Sequence, residues 1–216
     1  MIALGTNESA TRALTGAVFV VVVMGAVAWS AWSNALLWGV VAALAWSEWL
    51  KAPDHPATSC PKPLLALFPF PALSALLWLG ATEPYDPWPI LCFLWMIWAN
   101  DTGAYLVGKP FGKRKLWPSV SPGKSWEGTL GGVVASACVA WAALGLEWIW
   151  LGGLMGMLST AGDLTQSAWK RRRNMKDSGN LLPGHGGIMD RFDGFFYAAP
   201  VYVVIWCISH RKTPRQ

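Results

Sequence analysis

DLTQSAWKRRRNMKDSGNLLPGHGGIMDRFD, residues 163–193, holds ten of the chain's 29 Asp, Glu, Lys and Arg side chains, four acidic and six basic. Apolar runs long enough to enter a bilayer lie on either side of it, at 148–167 and 189–208. A carboxylate at the mouth of a membrane helix is costly unless it is paired, hydrated or metal-bound, so such a cluster points to function rather than scaffold.

The rest of the composition agrees with a membrane setting. Of 216 residues, 54% are hydrophobic and 13% charged, against about 25% charged in an ordinary soluble domain. That excludes a water-soluble globule. The net charge of +5 is small and gathered in a few loops, which suits anionic headgroups or nucleotide phosphates and argues against a nucleic-acid partner. Many of the tryptophans, among them Trp29, Trp32, Trp46, Trp49, Trp88, Trp148 and Trp150, border apolar runs as an interfacial belt would. Cys60, Cys92, Cys138 and Cys207 are far apart and read as small buried hydrophobes rather than disulfides or zinc ligands. No cleavable signal peptide is expected, because the first apolar run leads straight into a second.

No charge falls between Arg12 and Glu48, which predicts two tight helices joined near 30–34 and serving as an anchor. Residues 51–63, with four prolines, read as a loop, and 64–80 as a third apolar run broken by Pro69 and Pro71. In a fourth run from 88 to 108, Asp101, Tyr105 and Gly108 share a helix face. Residues 109–127, KPFGKRKLWPSVSPGKSWE, are expected to be an exposed basic loop. The fifth and sixth spans, 128–146 and 148–167, carry Gly128 and Gly132, then Gly152 and Gly156, and so are expected to pack closely. A last span runs from 189 to 208. The fold class is therefore an all-α polytopic membrane protein of about 6–7 spans, a single domain over 1–216 with anchoring helices in 1–87 and the catalytic part in 88–210. Cationic loops at 109–124 and 170–176 place the polar cavity on the cytoplasmic side, although the same rule disfavours where Arg211, Lys212 and Arg215 then emerge.

Asp163, Ser167 and Lys170 follow i, i+4, i+7 and line one face of a helix leaving the membrane, and Asp190 and Asp193 share a face at the start of the last span. If the glycine-rich turn at 183–187 folds the chain back, Asp163 and Asp190 meet, and two carboxylates with substrate phosphate oxygens are a typical magnesium set. Lys170, Arg171, Lys176 and Arg191 offset phosphate charge, and Gly186 and Gly187 let backbone N–H groups approach it. Ser121, Lys124 and Ser125, just before a helix start, form a second phosphate-binding candidate. Asn100 and Asp101 either cap and cross-link helices or touch substrate, His185 is a catalytic base or, as is commoner for a histidine in a glycine turn, orients its neighbours or contacts phosphate, and Arg172 and Arg173 read as solvated or headgroup-binding.

Residues 167–193 resemble the signature of the phosphatidate cytidylyltransferases, or CDP-diacylglycerol synthases. Ser167, Lys170, Arg171, Lys176, Asp177, Gly179, Pro183, His185, Gly186, Gly187, Asp190, Arg191 and Asp193 stand where that signature is restrictive. NDTGAYLVGKPFGKRKL at 100–116 and SPGKSWEGTLGG at 121–132 are similar to further segments of the family. Departures are Gln166 in place of a usual glutamate, and Gly123 and Ser125. The resemblance implies that CTP and phosphatidate give CDP-diacylglycerol and pyrophosphate. It also implies magnesium held by Asp163 and Asp190, with room for a second cation, and a polar cavity open to the cytoplasm and sideways to membrane lipids. A bacterial inner membrane is the expected location, and a homodimer is compatible with it. The alternatives are a CTP-dependent polyprenol kinase, which would move the γ-phosphate, and an ion or proton transporter, against which stands the gathering of charges at one membrane face.

Overall fold

The computed structural model describes residues 5–53, 75–77, 79–81, 84–179, 181 and 186–210, with side chains from Leu14 onward. The broken run at 64–80 lies almost wholly outside these, as do Pro183 and His185 of the glycine-rich turn.

Helices α1 (Gly5–Trp29) and α2 (Ala31–Lys51) form the expected hairpin, but the corner is Ser30 alone. Ser30 caps α2: its Oγ accepts from Ser33 N at 3.1 Å, and Ser33 Oγ accepts from Ser30 N at 3.0 Å. This reciprocal pair satisfies two end donors in a single turn. Helix α3 (Trp88–Phe111) starts with Pro89 in its first turn, where a missing N–H costs nothing.

The segment expected to be an exposed loop, 109–127, is built instead. Helix α3 runs on to Phe111, and strands β1 (Lys115–Trp117) and β2 (Ser121–Ser125) pair antiparallel, Lys115 with Ser125 and Trp117 with Ser121. Glu127, in the first turn of the next helix, accepts from the backbone N–H groups of Lys113 and Arg114 at 3.2 Å each, tying the ribbon down. Charge and turn residues mark this stretch as loop, yet the pairing of β1 with β2 and the local acceptor in Glu127 close it as a short ribbon.

Helices α4 (Trp126–Leu144) and α5 (Ile149–Arg172) follow, joined through Gly145, whose φ of 108° suits glycine, and a 3₁₀ turn at Leu146–Trp148. Asn174, with φ of 54°, ends α5, and Met175 N returns to Lys170 O at 2.9 Å. The last span is not one helix from residue 189: a 3₁₀ turn at Met189–Arg191 is separated from α6 (Phe195–His210). Asp190 and Asp193 therefore sit on a turn and a corner, not on a common helical face.

The apolar core lies where α1, α2, the first half of α3 and α6 meet. Phe93 packs edge-on against Phe195 with centroids 5.2 Å apart, and Trp38 meets Phe192 at 5.7 Å. Trp49, expected at the interface, is buried, whereas Cys138, expected to be buried, is exposed. Among the described residues two helices, α3 and α4, are long and apolar enough to cross a membrane, and residues 14–29 and 195–210 form shorter apolar helices.

Small residues set the spacing in the other half. A Cβ on Gly132 would meet Asn100 O and Oδ1 of α3 at 2.6 Å. One on Gly156 would meet Asn100 Oδ1 and Val133 Cα at 3.0 Å, so α5 closes against α4 as expected. Gly128 and Gly132, however, serve the contact with α3 rather than with α5. Gly132→Ala should lower stability by about 1–3 kcal/mol through overpacking, whereas Gly39→Ala, with nothing within 4 Å, should gain about 0.5–1 kcal/mol of helix propensity. Thermal unfolding of the two variants in detergent checks both signs.

Candidate active site

Where α3, α4, α5 and the β-ribbon converge there is a cavity of about 490 Å³, lined by Asn100, Asp101, Tyr105, Lys109, Gly123, Lys124, Ser125, Gly128, Thr129, Thr160 and Asp163 among others. The polar stripe of α3 foreseen at Asp101, Tyr105 and Gly108 faces this cavity, joined by Lys109, whose Nζ reaches Tyr105 Oη at 3.2 Å. From β2, Lys124 forms an ion pair with Asp163 Oδ2. Ser125 is a helix cap: its Oγ accepts from Gly128 N at 3.1 Å. Ser121 belongs to the same strand but does not line the cavity. Three glycines, two cations and the start of a long helix at one wall make a surface that suits a polyanion.

A second group lies farther along α5. Lys170 Nζ donates to Asp190 Oδ1 at 2.7 Å, while Ser178 N and Gly187 N donate to Asp190 Oδ2 at 2.8 and 3.0 Å. Burial works to raise the Asp190 pKa, but the Lys170 hydrogen bond and the two backbone donors outweigh it and hold the carboxyl below its ordinary value. Gly186 has a φ of 79°, and a Cβ there would meet Asp190 Oδ2 at 2.9 Å, so only glycine fits the turn.

Asp193 joins the two groups. A Cβ on Gly162 would collide with the carbonyl oxygen of Asp193, and one on Gly194 with Ser159 Oγ, so the corner at 193–194 presses directly on α5 beside Asp163. Burial, then the charges of Asp163 and Asp101, push the Asp193 carboxyl well above the usual range. Ser167 Oγ donates to Asp163 Oδ1 at 3.1 Å, so the Asp163, Ser167 and Lys170 face exists as expected. Arg191 lines a smaller cavity of about 190 Å³ with Thr15, Gly16, Phe19, Val20, Trp98 and Asp101. Asp101 is thus common to both cavities.

Of the remaining expected residues, Arg171, Lys176 and Asp177 are exposed, Arg171 bonding Met175 O at 2.9 Å. His185 lies outside the described residues. Arg173 is not solvated: it is buried, donates to Pro53 O at 2.6 Å and lies over the rings of Trp169 and Trp49. Gln166 is buried with neither amide atom bonded among the described residues. The largest omission is Glu48, which reaches across from α2 to the turn around Asp190. Its signal was in plain view, as the first carboxylate after a long uncharged span.

Both oxygens of Asp190 are engaged by N–H donors, and among the described residues no three His, Cys, Asp or Glu side chains gather closely enough to cage an ion. The donor set still suits magnesium, which takes one or two protein carboxylates and completes its shell from water and phosphate. Asp163, Asp193 and Asp101 lie within electrostatic reach of one another, a concentration of negative charge that a hard cation would relieve.

Carboxylates beside cations thus line a glycine-walled cavity between α3, α4 and α5. The chain belongs to the cytidylyltransferase family, whose model matches residues 17–208. It is 50% identical over 113 residues to a phosphatidate cytidylyltransferase of Bacillus subtilis, covering 49% of this chain and 42% of that protein. A Pseudomonas aeruginosa protein of the same name is 47% identical over 138 residues, covering 55% and 49%, and one from Haemophilus influenzae is 40% identical over 133 residues, covering 56% and 46%. The chain thus spans about half the length of the curated relatives it matches.

Removing one partner of the buried Lys170–Asp190 pair leaves the other charge unmatched. Lys170→Met should cost about 3–5 kcal/mol and the double change with Asp190→Asn much less, as equilibrium unfolding in a double-mutant cycle would show. Since the folded Asp190 pKa lies below the unfolded one, its contribution is full above about pH 4 and is lost as acid carries the pH down through the lower folded value. Protection of the Ser178 and Gly187 amides, which donate to Asp190, should therefore persist from neutral pH to about 5.

Proposed function

We propose that the protein transfers a cytidylyl group from CTP to phosphatidate, releasing pyrophosphate and forming CDP-diacylglycerol, as an integral enzyme of a bacterial inner membrane with its site open to the cytoplasm. The observation that carries this is the pair of cavities sharing Asp101. One is wide and glycine-walled, with two lysines and two aspartates in its lining; the other is narrow, largely apolar and bears Arg191. A nucleotide triphosphate suits the first, and a phosphate on an acyl-bearing lipid suits the second. Family membership and the names of the relatives support the same chemistry.

In this mechanism a phosphatidate oxygen attacks the α-phosphorus of CTP. The new P–O bond forms as the bond to the bridging oxygen breaks, and the electron pair leaves with pyrophosphate. Lys124 and Lys109 hold the triphosphate, Arg191 orients the lipid phosphate, and Lys170 fixes Asp190. Magnesium at Asp163 and Asp190, with Asp193 beside them, would lower the charge repulsion between the two phosphates. Lys124 leaves Asp163 for the triphosphate as the nucleotide binds. A phosphatidate monoester is already anionic near neutral pH, so no general base is needed, and positioning with electrostatics supplies the catalysis. Six to seven spans and a homodimer belong to this reading.

CTP labelled at the α-phosphorus, given with phosphatidate and magnesium in detergent micelles, should leave its label in lipid. Label remaining in free CDP would instead identify a γ-phosphoryl transfer to lipid. Asp163→Asn should reduce turnover on the order of 10²-fold or more, and near-normal turnover would remove Asp163 from the mechanism.

A further inference from the structure

Glu48 is almost fully buried near the end of α2, at 6% exposure. Its Oε1 accepts from Ile188 N at 2.7 Å, and its Oε2 accepts from Met189 N at 3.0 Å and from Ser178 Oγ at 3.1 Å. These partners lie 130 to 141 positions away in the chain. A carboxylate is acceptor-only, so it alone among side chains of this size can take two backbone N–H groups and a hydroxyl at once. Two glycines make the approach feasible: a Cβ on Gly179 would meet Glu48 Oε1 at 2.8 Å, and one on Gly187 would meet Oε2 at 2.5 Å.

The groups that Glu48 holds from one side are those that Asp190 holds from the other. Ser178 gives its hydroxyl to Glu48 and its backbone N–H to Asp190. Gly187 gives its N–H to Asp190, and the next two N–H groups go to Glu48. The segment carrying Asp190 and Arg191 is therefore strung between two carboxylates. Glu48 is itself fixed, because the adjacent Trp49 stacks on Trp169 of α5 with centroids 4.6 Å apart and Arg173 lies over both rings.

We infer that Glu48 is a positioning residue for the reaction: through Ile188, Met189 and Ser178 it sets where Asp190 and Arg191 stand relative to Asp163 on α5. The inference rests on the cytidylyl-transfer reading only for its kinetic consequence. Glu48 does not line the nucleotide cavity, so its loss should alter turnover rather than CTP binding.

The test uses the full chain in detergent micelles. Glu48→Gln replaces one oxygen by an N–H₂ group that faces existing donors, so the Ile188 and Met189 amides should exchange with deuterium about tenfold faster or more, with α3 to α5 unchanged. With magnesium, CTP and phosphatidate, kcat should fall on the order of 10²-fold, as for a misplaced reacting group, while KM for CTP moves less than about threefold. Ser178→Ala removes a single contact, spares the Ser178 N–H to Asp190 and should shift both readouts in the same direction by less; it decides the matter if Glu48→Gln does not fold. Unchanged exchange at 188–189, exchange raised throughout the protein, or a rise in KM with kcat preserved would each overturn the positioning role. Wild-type protein that releases no pyrophosphate would sink the cytidylyl-transfer reading, while the exchange result would still decide whether Glu48 anchors the segment.

Discussion

A carboxylate among apolar helices must find donors or a counter-ion, and the buried and half-buried acidic groups of this chain meet that demand in different ways. Asp163 takes Lys124 from the ribbon and Ser167 from its own helix. Asp190 takes Lys170 and two backbone amides, and Glu48 takes two amides and a hydroxyl. Asp193 has the N–H of Gly194 at 2.8 Å, but it also faces the charges of Asp163 and Asp101. These attachments tie Ser178 and residues 187–189 to α2 and to Asp190, just ahead of the 3₁₀ turn at Met189–Arg191.

The parts of the fold legible in the sequence were those that depend on local chemistry. Absence of charge over 13–47 marked the first hairpin, and glycines at fourfold spacing marked helices that pack backbone to backbone. The stripe at Asp101, Tyr105 and Gly108 and the face at Asp163, Ser167 and Lys170 followed from helical geometry and were found in place. What eluded the sequence was long-range. Nothing local distinguishes Arg173, buried over two indoles, from its solvent-exposed neighbour Arg172. Nothing local shows that Gly128 and Gly132 face α3 instead of α5, or that a basic, proline-bearing stretch closes as a ribbon on the carboxylate of Glu127.

The site was legible as a set of residues more than as an arrangement. A single meeting of Asp163 with Asp190 was the expected centre, whereas the structure sets Asp163 against Lys124, and Asp190 against Lys170, with Asp193 at a corner touching α5. The hairpin at the N-terminus, expected only to anchor, reaches the site: its second helix supplies Glu48 to the turn that bears Asp190 and Trp49 to Trp169 of α5. Periodicity cannot assign such a role, because a carboxylate at a helix end looks the same whether it meets solvent or a distant amide.

The seam between α3 and α4 has a mechanical consequence. Gly103 lies against Gly131, Gly108 against Gly128, and Asn100 against Gly132, so the close approach runs over residues 100–108 of α3 and 128–132 of α4. Sliding one helix past the other would drive Cβ atoms into main-chain oxygens, so the seam has one seat and works as a fixed gauge. The seam holds the α3 and α4 walls of the wide cavity at a fixed spacing, so adjustment to a guest falls to the ribbon, which supplies Gly123, Lys124 and Ser125 to its lining.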